Sequence, residues 1–528
     1  MTPSVSPTDR GPGTEHTNAT PHDAARRAGV GGLAVLSAKI YFLLAGLVQQ
    51  ALLPRLLGLD GYGALASALS LASIAYNPLV STGIQGVSRA VAAAPPTSAP
   101  TVLRQSLLVH AAFAIVLAAA AFALSPAAAL ALGAPHLTAP LRIMSGVLLA
   151  YGLYAPLIGA LNGERRLVAQ ALFDIGAATV RTGSIVVGAV LAARSAGGLS
   201  PHADGPCFGA LFGAVAVLLA AWFVVGTGRP GAPGAGLRAH AAFVAPLLVA
   251  QALLNLLLQA DLTLLRRFAA DAARAAGAAA TAADGYVGAY RATQLFSFLP
   301  FQILVAVTFV LFPMLAHARH DRERDTVAGY VENGLRIALI VAGGMVSVTA
   351  GLSGGLLRLV IGESAASLGA TALGILALGF GAFAIFSLLT AVLNGLGHER
   401  ASLVITFLAF ALVVASCFGW VRGTPLGEGL LVRTALCTSA GIALATLLAC
   451  AYTRHVVGSL VPARVFGRVA LAFGAALGVA RNLPAGSVWL VVPEAALVVG
   501  VYALVLVVSR ELGPSDLAYA RRILKRRA

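Results

Sequence analysis

The sequence predicts an all-α, polytopic membrane protein with about 14 transmembrane helices, from its composition, its apolar segments and the positions of its charges. Of its 528 residues, 59% are hydrophobic and 11% are charged, and the mean hydropathy is +0.87. An ordinary soluble domain has about 25% charged residues, which cover its surface in water. This chain has too few charges for such a surface. Most of its exterior must therefore face lipid, and the class of soluble globular proteins is excluded.

Fourteen segments are suitable for these helices, because about 20 apolar residues are needed to cross about 30 Å of hydrocarbon. They are residues 30–53, 62–86, 105–126, 141–161, 167–193, 207–226, 239–265, 286–316, 330–357, 367–396, 401–421, 430–453, 466–480 and 487–508. The thirteenth segment is the shortest. An even number of crossings places both termini on the same side of the membrane.

The arginine and lysine residues indicate which side that is. With the N-terminus in the cytoplasm, the termini and inner loops carry about 23 of the 36 basic residues, the outer loops about 10, and the spans three. The positive-inside rule describes this bias, so we expect both termini to be cytoplasmic. Arg266, Arg267 and Arg274 are exceptions, because they fall in an outer loop. Since the net charge of +16 follows the loops, it indicates topology and no nucleic-acid partner.

The two ends of the chain lie outside these spans. Residues 1–29 are rich in Pro, Thr, Gly and His, so we expect a disordered cytoplasmic tail. They lack the apolar core of a signal peptide. Residues 509–528 form a basic cytoplasmic tail, and we expect its arginine-rich run at 521–527 to lie against anionic membrane lipids.

Two pairs of similar motifs indicate an internal repeat. GYGALASAL at 61–69 resembles GYVGAYRA at 285–292, and ALNGERR at 160–166 resembles VLNGLGHER at 392–400. Six spans separate the members of each pair, so the two copies run parallel and are related by an axis along the membrane normal. Two such bundles facing each other enclose a central cavity, which is the architecture of a transporter.

The repeat divides the chain into two six-helix bundles and two extra C-terminal helices. Its first motif aligns Gly63 with Gly288, and a Gly- and Pro-rich stretch separates the two copies. The predicted boundaries are an N-terminal bundle at 30–226, a linker at 227–238, a C-terminal bundle at 239–453 and an extra helix pair at 466–508.

The same residues resemble a known family, the polysaccharide exporters. The run RLLGLDGYG at 55–63 is similar to their R-x-LG-x-x-x-YG stretch, and STGIQGVSR at 81–89 ends the second span much as theirs does. The resemblance covers roughly residues 30 to 508. The family belongs to a flippase superfamily that also includes multidrug and toxin extrusion proteins and lipid II flippases. The lipid II flippases have an Arg-Asp pair after the glycine of the first span, whereas Leu59-Asp60 follows Gly58 here.

The resemblance implies a function in the bacterial cell membrane. It implies a flippase, not an enzyme, that moves an undecaprenyl-diphosphate-linked oligosaccharide from the inner to the outer leaflet by alternating access. Its partners would be the polyprenyl-diphosphate-linked glycan, membrane lipids and a polysaccharide polymerase or glycosyltransferase. The substrate would then be used for cell-surface polysaccharide synthesis.

Three cations inside the spans are candidates for binding such a substrate: Lys39, Arg181 and Arg291. An ionisable residue in a span costs about 2.5–3.5 kcal/mol on insertion scales, so it indicates a function by default. A lipid diphosphate is an anion and needs charge-assisted donors. Snorkelling of Arg291 to the outer surface is the structural alternative. Asp174 and Asp261 are candidates for ion coupling or for structural ion pairs.

Uncharged polar residues add a weaker outline of the same cavity. Gln251, Asn255 and Gln259 recur every four residues and share one face of the seventh span. Asn77 and Gln302 lie in the second and eighth spans, at aligned positions of the repeat. In a wet cavity these side chains would bind sugar hydroxyls. The alternative is hydrogen bonding between helices, worth about 0.6 kcal/mol each.

Other functional classes fit the sequence less well. There is no G-x-x-x-x-G-K-[ST] motif for nucleotide binding, no metal-ligand spacing, and no cofactor is expected. A membrane glycosyltransferase or polymerase would need acidic catalytic residues in a sizeable outer loop, and the outer loops have few acids. A multidrug or ion antiporter of the same superfamily, or a lipid II flippase, remains the closer alternative.

Overall fold

The computed structural model describes residues 21–95, 97–194, 203–228, 236–304, 324–484 and 488–513. In these ranges the chain forms fourteen α-helices, a further helical stretch at 299–304, three short helical turns and no β-strand. The helices are α1 (Pro21–Ala93), α2 (Ala99–Ala131), α3 (Thr138–Gly163), α4 (Leu167–Arg194), α5 (Asp204–Val225), α6 (Leu237–Ala275), α7 (Ala282–Ser297), α8 (Arg324–Gly351), α9 (Ser353–Val360), α10 (Glu363–Gly395), α11 (Glu399–Ser416), α12 (Glu428–Val457), α13 (Ala463–Arg481) and α14 (Val491–Val508).

Twelve helical segments of the described chain are long and apolar enough to cross a membrane. They cover thirteen of the fourteen predicted spans, because the first of them, Ser37–Ala93, contains the first two. The predicted eighth span, 286–316, is described only as far as residue 304. Large apolar side chains such as Phe223 and Phe212 are exposed on the outside of the bundle, as a lipid-facing surface requires. The predicted fold class, an all-α polytopic membrane protein, is confirmed.

Helix α1 contains both predicted spans as two helical segments that meet at a kink at Gly58, whose backbone is not helical. Gly58 has φ 69° and ψ 173°, a backbone conformation that glycine adopts without steric cost. At its other end, α1 begins at Pro21, so residues 21–29 of the predicted disordered tail are helical. Proline is favoured in the first helical turn, and an alanine-rich stretch follows it. Residues 1–20 and the basic run at 521–527 lie outside the described residues.

The predicted ninth span, 330–357, is not one continuous helix. Helix α8 ends at Gly351, and the short helix α9 starts again at Ser353. Two glycines follow directly, at positions 354 and 355, and glycine weakens a helix interior by about 1 kcal/mol relative to alanine. The apolar pattern therefore continues across a break that hydropathy alone does not show.

Following the predicted repeat, we divide the helices into two halves and an appended pair. Helices α1–α5 form the N-terminal half, and α6–α8 with α10–α12 form the C-terminal half, whose buried core includes Phe380, Phe383 and Phe386 of α10. Helices α13 and α14 pack against α8, around Tyr502. Residues 229–235 of the predicted linker between the halves lie outside the described residues.

The two halves touch most closely at the glycines that the repeat aligns. A Cβ atom added to Gly63 would lie 1.8 Å from the backbone oxygen of Asp284, and one added to Gly288 would lie 2.2 Å from that of Leu59. Only glycine allows such backbone contact between α1 and α7. We call the end of the bundle with residues 58–60 and 276–281 the outer end. The end with residues 164–166 and 396–398 is the inner end.

Candidate functional site

A cavity of about 530 Å³ lies between the two halves, lined by residues of α1, α4, α6 and the α7 region. The first segment of α1 contributes Gly46, Gln49 and Gln50, whose spacing places them on one helix face. The Tyr62 hydroxyl donates a hydrogen bond to Gln50 Oε1 at 2.6 Å, and Thr182 Oγ1 donates one to Gln49 Oε1 at 3.2 Å. These bonds fix the amide groups at the cavity wall.

Arg181 and Arg291 bring positive charge into this cavity from opposite halves of the molecule. Arg291 Nη1 donates a hydrogen bond to Gln294 Oε1 at 3.0 Å. Arg181 lies beside Tyr76 and Tyr151, whose ring centroids are 6.0 Å apart. Within the described residues, neither arginine forms an ion pair, and the cavity lining contains no Asp or Glu. The cavity is therefore cationic, with neutral partners for both charges.

Amide side chains connect the two halves across the cavity. Asn77 Nδ2 donates to Asn255 Oδ1 at 2.9 Å, and Ser70 Oγ donates to Gln259 Oε1 at 2.8 Å. Both pairs join α1 to α6. Gln302 also lines the cavity. The structure therefore brings four predicted amides together with the two arginines: Asn77, Asn255, Gln259 and Gln302.

Gln251 and Lys39 are the two predicted substrate-binding residues that lie outside the lining. Gln251 is predicted to share one helix face with Asn255 and Gln259. It contacts the site only through its backbone oxygen, which accepts a hydrogen bond from Asn255 Nδ2 at 2.9 Å. Lys39 Nζ forms a 2.8 Å ion pair with Asp174 Oδ2, and its side chain is 50% exposed. The two ion-pair residues extend the cavity-lining faces of α1 and α4 toward the inner end, about one helical turn beyond Phe42 and Ala178.

Asp261 is a buried carboxylate directly behind the cavity. Its Oδ2 accepts hydrogen bonds from the Tyr290 hydroxyl at 2.9 Å, from Gln294 Nε2 at 3.0 Å and from Thr438 Oγ1 at 3.4 Å. Its Oδ1 accepts one from the backbone nitrogen of Leu262 at 2.7 Å. Gln294 therefore touches Asp261 with one end of its amide and Arg291 with the other. In the described part of the chain, no three His, Cys, Asp or Glu side chains converge as metal ligands.

The three arginines that depart from the charge rule are paired at the outer end. Arg266 is fully buried, and its Nη2 lies 3.3 Å from Asp284 Oδ1. Arg267 and Arg274 both form ion pairs with Asp271, at 3.2 and 3.1 Å. The structure places these arginines on α6 and not in the predicted loop, because α6 continues to Ala275. The acids that neutralise them lie on α6 itself and at the start of α7.

Sequence reasoning did not single out several groups around the cavity. Tyr62, Tyr76 and Tyr151 lie beside the two arginines, and Thr182 holds Gln49. Thr182 carried a usable signal, because it directly follows Arg181 and shares the face that begins at Asp174. Tyr62 also carried one, because it lies in the repeat motif at 61–69 and in the run at 55–63. Tyr76 and Tyr151 carried none, since tyrosine in an apolar span is usually a packing residue.

Residues 29–318, more than half of the chain, match the family of polysaccharide biosynthesis proteins. The chain belongs to this family. None of the curated proteins is significantly similar to it in sequence.

Solved structures show the same fold at low sequence identity. The lipid II flippase MurJ in an inward closed conformation is similar with a TM-score of 0.71 and 12% identity, over 91% of this chain and 99% of that chain. An inward-facing multidrug resistance transporter of the MATE family is similar with a TM-score of 0.62 and 16% identity, over 81% and 98%. A superfamily transporter from Pyrococcus furiosus, whose binding pocket is described as having reverse polarity, gives 0.55 and 15%, over 83% and 96%. The fold is thus that of this transporter and flippase superfamily, the multidrug/oligosaccharidyl-lipid/polysaccharide group.

Proposed function

We propose that this protein is a flippase that moves an undecaprenyl-diphosphate-linked oligosaccharide from the inner to the outer leaflet for cell-surface polysaccharide synthesis. The observation that carries the proposal is the cavity between the halves, in which Arg181 and Arg291 have neutral partners. A diphosphate is at least doubly negative and binds charge-assisted donors strongly. A guanidinium group can hold two phosphate oxygens at once.

The amides around these arginines are suited to sugar hydroxyls. Asn77, Asn255, Gln259 and Gln302 supply both donors and acceptors in the same cavity. Its volume of about 530 Å³ is typical of a small-molecule site. That space accommodates a diphosphate and the sugar next to it, while the polyprenyl chain stays in lipid.

Transport by alternating access requires the outer contact between the halves to open. The backbones of α1 and α7 meet there at Gly63 and Gly288, which closes this side of the cavity toward the outer end. Opening would separate these glycines. Pro78 in α1 and Pro246 in α6 each remove a helix hydrogen bond and are suitable bending points.

We infer that Asp261 is the coupling residue and that Asp174 is a structural partner of Lys39. Gln294 joins Asp261 to Arg291, so a change in the charge of the carboxylate reaches the cavity through one side chain. In an assay with an imposed proton or sodium gradient, we expect Asp261→Asn to abolish the dependence of transport on that gradient. Transport by this variant that still responds fully to the gradient would contradict the assignment.

The proposed setting is the bacterial plasma membrane, with both termini cytoplasmic. The distribution of basic residues between the two sides of the membrane supports this orientation. The protein would hand its lipid-linked glycan to a polymerase or glycosyltransferase at the outer surface. It would itself act as a transporter without a cofactor and not as an enzyme.

A multidrug or ion antiporter is the second candidate function. It is favoured by the buried carboxylate Asp261 and by the likeness of the fold to the multidrug transporter. The sign of the cavity charge favours the flippase, because two arginines repel the cationic drugs that such antiporters would carry. A lipid II flippase has the same lipid diphosphate chemistry and differs in its glycan.

Transport in proteoliposomes tests the proposal. The purified protein would be given labelled undecaprenyl-diphosphate saccharides, lipid II and a fluorescent cationic drug in parallel. We expect Arg181→Gln and Arg291→Gln each to reduce saccharide transport at least tenfold, because a charge-assisted bond is worth about 1.5–3 kcal/mol. The matched control is Arg481→Gln, at an exposed arginine of the outer end, which should stay within about twofold of the original protein.

Each outcome has a definite meaning. Saccharide transport that both cavity variants leave unchanged would keep the flippase and reject the cavity as its site. Drug efflux without transport of any saccharide would favour the antiporter. Transport of lipid II alone would place the protein with the lipid II flippases.

A further inference from the structure

A second cavity, of about 450 Å³, lies at the inner end between the two halves. It is bounded by the end of α1 and by the first turns of α2 and α6. Helices α1 and α2 belong to the N-terminal half, and α6 belongs to the C-terminal half. The backbone nitrogen of Gly236 donates a hydrogen bond to Gln105 Oε1 at 3.2 Å, which ties the start of α6 to α2 beside the cavity.

The electrostatic character of this second cavity is positive. Arg89 lines it, with the guanidinium carbon 4.9 Å from the centre of the Phe243 ring, and forms no ion pair with a described residue. The N-termini of α2 and α6, helices of 33 and 39 residues, both meet at the cavity. Neither helix has an acidic residue in its first turn to neutralise its dipole. The cavity lining likewise contains no Asp or Glu.

Two buried polar side chains line this cavity without a partner. Ser106 is fully buried and His240 is 8% exposed, and neither Ser106 Oγ nor His240 Nε2 has a hydrogen-bond partner. The His240 ring packs against His110, with the ring centroids 5.6 Å apart. Buried polar groups are almost always hydrogen-bonded, so two unpartnered groups at one cavity indicate a site for a hydrogen-bonding ligand.

We propose that this cavity binds the phosphate head group of an anionic phospholipid. Arg89 and the first-turn N–H groups of α2 and α6 would supply the positive field for the phosphate. The Ser106 hydroxyl and the His240 imidazole would donate the short-range hydrogen bonds. These donors come from three helices, so the site exists only where the two halves are held together at the inner end.

The walls of the cavity favour a lipid over a soluble phosphate. They are mostly apolar: Ala90, Ala93, Ala94, Val102 and Phe243. These side chains would contact the glycerol backbone and the start of an acyl chain, which a free phosphate lacks. Arg89 follows the predicted second span, at the depth of the lipid head groups. Basic pockets between transmembrane helices at this depth are typical sites for acidic lipid head groups.

Native mass spectrometry of the full-length protein tests the proposal. The delipidated protein would be titrated in detergent with phosphatidylglycerol, with phosphatidylcholine and with inorganic phosphate. We expect one phosphatidylglycerol to bind at least tenfold more tightly than phosphatidylcholine, and inorganic phosphate at tenfold excess not to displace it. We expect Arg89→Gln and His240→Ala each to weaken binding of phosphatidylglycerol at least fivefold.

Two further variants serve as controls. Ser106→Ala breaks no side-chain hydrogen bond of the empty protein, so it should fold normally and still weaken binding of phosphatidylglycerol about threefold or more. Arg454→Gln removes an exposed arginine at the inner end of α12 and should leave binding of phosphatidylglycerol within twofold of the original protein. Equal binding of both lipids, or equal loss in the Arg454 variant, would overturn the proposal. Displacement of the lipid by inorganic phosphate would reassign the cavity to a soluble anion.

Discussion

The central cavity and the outer end of the bundle differ in how the arginines inside the bundle are paired. At the outer end, Arg266 lies 3.3 Å from Asp284, which in turn lies 3.0 Å from His136 Nε2 of the N-terminal half. In the cavity, Arg181 and Arg291 have only uncharged neighbours within ion-pair distance among the described residues. The same side chain has a counter-ion at one site and none among the described residues at the other.

This difference separates an arginine with a structural counter-ion from the two arginines that we propose bind substrate. A buried charge costs several kcal/mol unless it is paired, and Asp284 supplies a counter-ion for Arg266. An unpaired arginine keeps its cost low only where water or a ligand reaches it. The cavity of about 530 Å³ provides that access, whereas Arg266 is fully buried.

The largest expected effect is on the free energy of unfolding, when Asp284 at the outer end is removed. Asp284→Ala leaves the Arg266 charge buried without its counter-ion, and such a change typically costs about 3–5 kcal/mol. Unfolding in detergent, followed by circular dichroism against denaturant or temperature, would measure the loss. The matched control is Asp271→Ala, at a partly exposed acid that pairs with Arg267 and Arg274, and it should cost less than about 1 kcal/mol.

A second substitution shows whether the effect comes from the unpaired charge. Adding Arg266→Met to Asp284→Ala removes the orphaned cation and should recover most of the lost stability. If the double variant is as unstable as Asp284→Ala, the destabilisation comes from lost packing. The role of Asp284 as the counter-ion of Arg266, and with it the contrast between the two regions, would then be wrong.

Most of the fold could be predicted from the sequence, because apolar runs and the bias of basic residues are local features. The pairing of charges could not, because it depends on which helices touch. Lys39 and Asp174 are 135 residues apart and meet only through the packing of α1 on α4. Arg266 similarly looked like a violation of the charge rule, because its partner Asp284 lies in the next helix. The break at Leu352 also escaped prediction, since both sides of it are equally apolar.

The next effect concerns transport and not stability. Arg291→Gln should lose a charge-assisted bond to the substrate, which raises the activation free energy of transport by about 1.5–3 kcal/mol. The transport rate should therefore fall at least tenfold. The unfolding free energy of this variant should change by less than about 1.5 kcal/mol, because the lost partner Gln294 is neutral. Transport and unfolding would be measured in parallel on both variants. Arg291→Gln should lose transport and keep its stability, whereas Asp284→Ala should lose stability. An Arg291 variant that unfolds as readily as Asp284→Ala would remove the distinction.

A smaller effect is expected at the inner end of the cavity. Lys39 pairs with Asp174 through a side chain that is 50% exposed, so Asp174→Asn should lower the unfolding free energy by less than about 1 kcal/mol. If Lys39 also binds substrate, freeing it from Asp174 should strengthen substrate binding. A titration of labelled lipid-linked saccharide against Asp174→Asn and Lys39→Ala measures both. Equal affinities in the two variants and the original protein would leave Lys39 as a purely structural cation.

The smallest effect tests whether the cavity amides bind sugar or merely join helices. Ser70 Oγ donates to Gln259 Oε1 at 2.8 Å, and loss of one such bond between membrane helices costs about 0.6 kcal/mol. Ser70→Ala and Gln259→Ala should therefore destabilise the fold equally if the bond is only structural. A larger loss of saccharide affinity in Gln259→Ala than in Ser70→Ala would indicate a contact with substrate, because only Gln259 lines the cavity. Equal losses of affinity in both variants would assign the pair to helix packing and restrict substrate recognition to the two arginines.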